Sequence, residues 1–107
     1  MLKFLMVFLF APTIVFAAGH TVSMKSLSYD PKLIQIKVGD SVEWKNISLT
    51  EHSATTDEHA APAAKFDTGL IAPKKTSKKI EFRKVGTFVY HCSVHGQTMS
   101  GKIEVQP

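Results

Sequence analysis

The sequence predicts an all-β protein, a sandwich of about seven to eight short strands. Two observations carry that prediction: apolar and polar residues alternate in several separate segments, and glycine-containing turns divide those segments. A third is negative, in that no segment of useful length shows a helical period.

The elements follow in chain order. A short strand is expected near Thr21 to Lys25. In Lys32 to Val38 the apolar residues Ile34, Ile36 and Val38 alternate with polar neighbours, and in Ser41 to Asn46 Val42 and Trp44 alternate with Glu43 and Lys45. Period two buries one face and wets the other. Gly39-Asp40 supplies the turn between these two segments. A further strand is expected around His52 to Thr55. The stretch Thr56 to Lys65, rich in Ala and containing Pro62, reads as a surface loop with room for one helical turn. Ile80 and Phe82 share a face in Lys79 to Arg83, and Lys84-Val85-Gly86 is the next turn. The strand from Lys78 to Arg83 is expected to pair as a hairpin with the strand ending at Cys92. On the latter, Phe88, Tyr90 and Cys92 face inward and Val89 and His91 outward. Ile103 and Val105 repeat the pattern in Gly101 to Gln106.

The chain has 107 residues, enough for one domain. Its first stretch has the anatomy of a secretory leader: Lys3, an apolar run, and small residues at Ala17 and Ala18. Pro12 interrupts the run, which is shorter than the ~20 apolar residues of a spanning helix. Cleavage is expected after Ala17 or Ala18, giving a leader at 1–17 and a domain at 18–107, with export to a periplasm and no stable membrane insertion afterwards. Removing Lys3 leaves 12 basic against 9 acidic residues, a charge of +3. That balance favours acidic protein partners. No nucleic-acid motif or aromatic-interleaved basic face appears. A monomer is expected.

A single cysteine is unusual in a small exported domain, where cysteines generally pair; a lone one is buried and inert, paired between chains, or a metal ligand. Its surroundings favour the last. The run Tyr90-His91-Cys92-Ser93-Val94-His95-Gly96-Gln97-Thr98-Met99 places a thiolate, an imidazole and a thioether close together between two predicted strands. Such donors suit a trigonal copper site, two His and one Cys in a plane with a weak axial Met. His52 is the best candidate for the second imidazole, since it opens a predicted strand after the irregular segment Asn46 to Glu51.

These features resemble the cupredoxins, in particular the plastocyanin, amicyanin and pseudoazurin group. The resemblance rests on the alternating strands, the Gly39-Asp40 turn leading to Trp44, the His52-Ser53 pair, the Phe66-Asp67-Thr68-Gly69 loop, and above all Cys92-x-x-His95-x-x-x-Met99 followed by Gly101-Lys102-Ile103. It implies a Greek-key sandwich, one type 1 copper held by His52, Cys92, His95 and Met99, and transfer of single electrons between redox partners, with no catalytic activity. The His95 to Met99 spacing is one residue shorter than the plastocyanin pattern and one longer than that of amicyanins. Val94 stands where many relatives have Pro, and Ser53 where Asn is common. Because Val94 keeps an N–H that Pro lacks, it is expected to donate to the Cys92 sulfur and raise the reduction potential. A copper chaperone or buffer is the alternative function. It fits less well, because metal transfer needs an exposed, exchangeable site.

Other candidates take ordinary roles. Met24 reads as core, His59 as a solvated loop residue and His91 as a surface residue. His20 would become third in the chain after cleavage behind Ala17, a placement able to wrap copper(II) in nitrogen donors, but a plain polar N-terminus is the preferred reading. Lys74, Lys75, Lys78 and Lys79 form the densest charge run, expected to lie at the copper end and to steer an acidic partner.

Overall fold

The computed structural model describes residues 16–107, so the leader at 1–17 lies outside the described residues except for Phe16 and Ala17. Among the described residues there are eight strands: β1 (Gly19–Met24), β2 (Tyr29–Asp30), β3 (Leu33–Lys37), β4 (Ser41–Asn46), β5 (Thr55–Thr56), β6 (Ile80–Glu81), β7 (Gly86–Cys92) and β8 (Gly96–Gln106). A 3₁₀ turn at Pro62–Ala64 is the one helical turn expected in the Ala-rich loop. Among the described residues, no helix is long and apolar enough to cross a membrane.

The strands form two four-stranded sheets, ordered β2-β1-β4-β6 and β3-β8-β7-β5. β1 lies parallel to β4 and β3 parallel to β8, whereas the other pairs are antiparallel. Every parallel pair needs a crossover, so the chain passes between sheets, giving an all-β Greek-key sandwich. Period two fills the space between the sheets: Val22 and Met24 from β1, Val42 and Trp44 from β4, Phe88 and Tyr90 from β7, Ile103 and Val105 from β8 are all buried. Each buried side chain of this size contributes roughly 1.5–3 kcal/mol of transfer free energy. Trp44 is the centre of the core. Phe66 stacks on it at 5.5 Å between centroids and Tyr90 meets it edge-on at 5.3 Å.

Two glycines have positions no other residue fills easily. Gly39 turns the chain between β3 and β4 at φ +96°, a left-handed conformation that a Cβ resists. Gly101 pairs with Tyr90 across β7 and β8, and a Cβ there would overlap the Tyr90 ring and hydroxyl.

Several expectations are corrected. β6 pairs with β4, in the opposite sheet from β7, so the Lys78–Arg83 segment and the Cys92 strand are not a hairpin. Nearness in sequence suggested a pairing that the sandwich, which sends the chain across to the other sheet at Gly86, does not use. His52 does not open a strand; it makes a single bridge to Ile71, and β5 begins only at Thr55. Val38 is 40% exposed, because β3 ends at Lys37 and the turn takes over. β2 has no sequence signal, being two residues long.

Candidate metal centre

The site grows from the end of β7. His91 pairs with Ser100 of β8, but the next residue, Cys92, pairs with Gly96. Gln97, Thr98 and Met99 are therefore left without partners on β7. A bulge of this kind re-aims side chains, and here it turns Met99, expected in a loop but placed on a strand, into the interior, where it is fully buried. Ser93, Val94 and His95 form the turn. His52 arrives from the other side of the sandwich, its backbone held by Ile71 through an N–H donated at 3.3 Å and a carbonyl accepting at 2.7 Å.

Within this frame Cys92 Sγ lies 3.5 Å from His95 Nδ1 and 3.8 Å from His52 Nδ1. The imidazole centroids are 4.9 Å apart, and among the described residues these three side chains form a group whose ligand atoms all lie within 4.8 Å of one another. A triangle with sides of this size has its centre about 2 Å from each corner, matching the 2.0–2.3 Å at which imidazole and thiolate hold an ion such as zinc. The three donors therefore fit one metal ion without rearrangement. Their softness and number favour copper.

The neighbours of the donors fix them in place. With Nδ1 left unprotonated for a metal, His52 Nε2 donates to Thr50 Oγ1 at 3.3 Å, the kind of outer contact that sets a ligand's tautomer. Burial, and then the adjacent His95, push the His52 pKa below its usual value, so the ring stays neutral and able to bind. Asn46, buried at the end of β4, donates from Nδ2 to the carbonyls of Thr50 at 2.7 Å and Ile71 at 2.8 Å, while its Oδ1 accepts from Ser48 N at 2.9 Å. It organises the whole approach to His52. Sequence reading missed Asn46, although a polar residue at an inward position of an alternating strand was a usable sign. Ser53 O accepts from the Tyr29 hydroxyl.

Exposure separates the four predicted donors. His52, Cys92 and Met99 are fully buried, and only His95 reaches the surface. Exposed apolar side chains follow or precede the site residues in the chain: Val94, Leu70 beside Ile71, and Ile47 and Leu49 in the Asn46 to His52 segment. Val94 does not do what was expected of it. Among the described residues the polar neighbours of Cys92 Sγ are the two imidazoles, and no N–H bond from Val94 reaches it.

Lys74 N donates to Asn46 O at 2.8 Å and Asn46 N to Lys75 O at 2.9 Å, which puts these two lysines at the copper end. Lys78 and Lys79 lie further down, beyond Ser77, whose N–H bonds Trp44 O halfway along β4. The predicted run is thus split. His91 is half-buried on the outward face, Met24 is core, and His59 is exposed beside Glu58. His20 is paired along β1 in an extended conformation with its Nε2 on Asp40 at 3.0 Å. An extended strand does not wrap four nitrogens around one ion, so the copper-chelating reading of His20 is not supported.

Two imidazoles and a buried thiolate at one end of a Greek-key sandwich define a cupredoxin-type copper centre. Comparison with known proteins agrees: residues 16–106 match the model for copper binding proteins of the plastocyanin/azurin family, and the chain belongs to that family. It is 36% identical to the chloroplast plastocyanin of Tetradesmus obliquus over 88 residues, 76% of this chain and 60% of that protein, so it spans less than two thirds of that relative. Amicyanin of Paracoccus denitrificans is 28% identical over 100 residues, 91% of this chain and 72% of that one. Among solved structures, a copper-containing nitrite reductase from Thermus scotoductus is similar at a TM-score of 0.72 and 31% identity, over 81% of this chain but 22% of that enzyme. A purple cupredoxin from Nitrosopumilus maritimus shares the fold at a TM-score of 0.68 and 19% identity, over 81% of this chain and 99% of that one.

Proposed function

We propose that the chain is an exported electron carrier in which His52, Cys92 and His95, together with Met99, would hold one type 1 copper. The observation that carries this reading is the asymmetry of exposure. Three donors are sealed from water, and His95 alone opens to solvent. Bound copper supplies a one-electron couple. Burial of three donors would hold their arrangement as the charge at the site changes, and the half-buried His95 would be the short route to a partner.

Lys74 and Lys75, at the same end of the sandwich, favour an acidic redox protein, drawn in by charge and seated against the apolar Val94, Leu49 and Leu70. The leader pattern supports a periplasmic location, and a monomer suffices because all four donors come from one chain.

Copper(II) added to the purified metal-free protein tests the function. An intense thiolate-derived visible band, bleached by ascorbate and restored by a mild oxidant, is the expected result. A pale copper signal that a chelator removes within minutes would instead make the chain a copper chaperone or buffer.

A further inference from the structure

We propose that maturation hydrolyses the Ala17–Ala18 bond and that the new α-ammonium of Ala18 is captured by Asp40. This deepens the export reading above and rests on it.

Asp40 is buried, with its side chain 9% exposed, yet it carries a carboxylate. Isolated carboxylates are costly to bury. Its oxygens are met by three donors: Ala18 N at 2.9 Å on Oδ1, and His20 Nε2 and Lys37 N, each at 3.0 Å, on Oδ2. Two of the three, Ala18 and His20, stand at the start of β1. Ala18 is engaged on its other side too, since its carbonyl accepts from Ser41 N at 3.0 Å and so begins the β1–β4 ladder. Phe16 and Ala17, just before it, are exposed and outside any strand.

Cleavage after Ala18 would delete both of these bonds, whereas cleavage after Ala17 keeps both and converts a neutral N–H donor into a cation against a carboxylate. Charge-assisted bonds are roughly twice as strong as neutral ones. The sequence points to the same bond independently. Leader peptidases prefer small residues at the scissile position and two before it; cutting after Ala17 presents Ala17 and Val15, but cutting after Ala18 presents the bulky Phe16. In the step itself an endopeptidase of the leader-peptidase class adds water: the hydroxyl goes to the Ala17 carbonyl, the C–N bond breaks, and the Ala18 nitrogen leaves as an amine that is protonated at neutral pH.

The capture site lies at the β3–β4 turn, away from the Asn46 end that faces the copper centre. Processing therefore completes the pole opposite to the one that meets partners.

The test is to express the full chain with its own leader in a bacterial host, recover it from the periplasm, and measure intact mass and the acylation rate of the α-amine near pH 7.5. A mass beginning at Ala18 and acylation about tenfold slower than for a model peptide, equivalent to a one-unit rise in amine pKa, are expected. Asp40→Asn should restore the model rate. So should a chain carrying one extra Gly before Ala18, which serves if the Asn variant does not fold. A periplasmic product starting at Gly19 or later, or an Ala18 amine reacting at the model rate, overturns the capture while leaving export intact. A chain that keeps its leader overturns both.

Discussion

Ser53 and Ser93 join the two halves of the metal centre. Ser53 Oγ accepts the backbone N–H of Ser93 at 2.9 Å and donates to Ser93 Oγ at 2.9 Å, so the residue after His52 is bonded to the residue after Cys92. Thr55 Oγ1 lies 2.8 Å from the same Ser53 oxygen and reaches Asp67 Oδ1 at 3.0 Å, carrying the bond chain outward to the surface. Ser53→Ala should leave the Ser93 N–H without its partner. The expected cost is about 1–2 kcal/mol in the metal-free protein, with copper affinity weakened about 10- to 100-fold, the usual scale for outer contacts of a metal site. Urea unfolding and competition against a copper chelator measure the two effects.

Gly101→Ala should be disproportionately damaging for a single methyl. The added carbon meets the Tyr90 ring, which is itself wedged between Trp44 and Tyr29 at centroid distances of 5.3 and 4.6 Å and has nowhere to go. Overpacking of this kind costs about 1–3 kcal/mol. A fall in the urea midpoint at unchanged slope is the expected outcome.

Met99→Leu removes a thioether while keeping an apolar side chain of similar volume, so folding should change little. A thioether lone pair helps the higher oxidation state more than the lower. Its loss should therefore raise the reduction potential, by tens of millivolts if the stabilisation lost is near tenfold, which corresponds to about 59 mV for one electron. Cyclic voltammetry decides; a lower potential would remove Met99 from the axial role.

Replacing Lys74 and Lys75 by Gln should slow oxidation by the anion hexacyanoferrate(III) up to about tenfold at low ionic strength. The difference should close near 0.5 M salt, where the screening length drops below ~5 Å. The same change at Lys78 and Lys79, further from the centre, should have a smaller effect.

Asp40 should shape the acid limb of the stability curve. Its carboxyl is held down to about 2, first by the Ala18 N–H, then by His20 and the Lys37 N–H. The fold thus prefers the ionised form, so the stabilisation is complete above the usual carboxylate value of 3.8 and disappears as pH falls through about 2. The ionisable groups nearest it in chain and sheet are His20 on β1, Lys37 on β3, and the exposed Glu81 and Arg83 around β6. Thermal midpoints of the metal-free protein should fall between pH 4 and pH 2 more steeply for the wild type than for Asp40→Asn.

The sequence made the two faces of each long strand readable. Val42 and Trp44, Phe88 and Tyr90, and Ile103 and Val105 all point inward as period two requires. What it could not carry was partner choice. Ile80 and Phe82 alternate correctly, but alternation does not say whether their strand joins β4 or β7. At the site, donor chemistry and spacing singled out Cys92, His95 and Met99 as a group and named His52 as the second imidazole, and the structure sets His52 beside the first two. The supports were not legible as supports: Asn46, Thr50 and even Ser53, read only as a partner of His52 in the motif, are polar residues that matter through the backbone groups and rings the fold brings to them.

The unpaired stretch in β8 separates two tasks that a plain hairpin would merge. The ladder is secured at His91–Ser100 on one side and closed at Cys92–Gly96 on the other, so residues can be gained or lost between Gly96 and Ser100 without shifting Tyr90 off Gly101 or any pair below. Length at the copper end is decoupled from registration of the core. A chain built this way is free to vary the reach and shape of its metal-binding turn while the body of the sandwich stays the same.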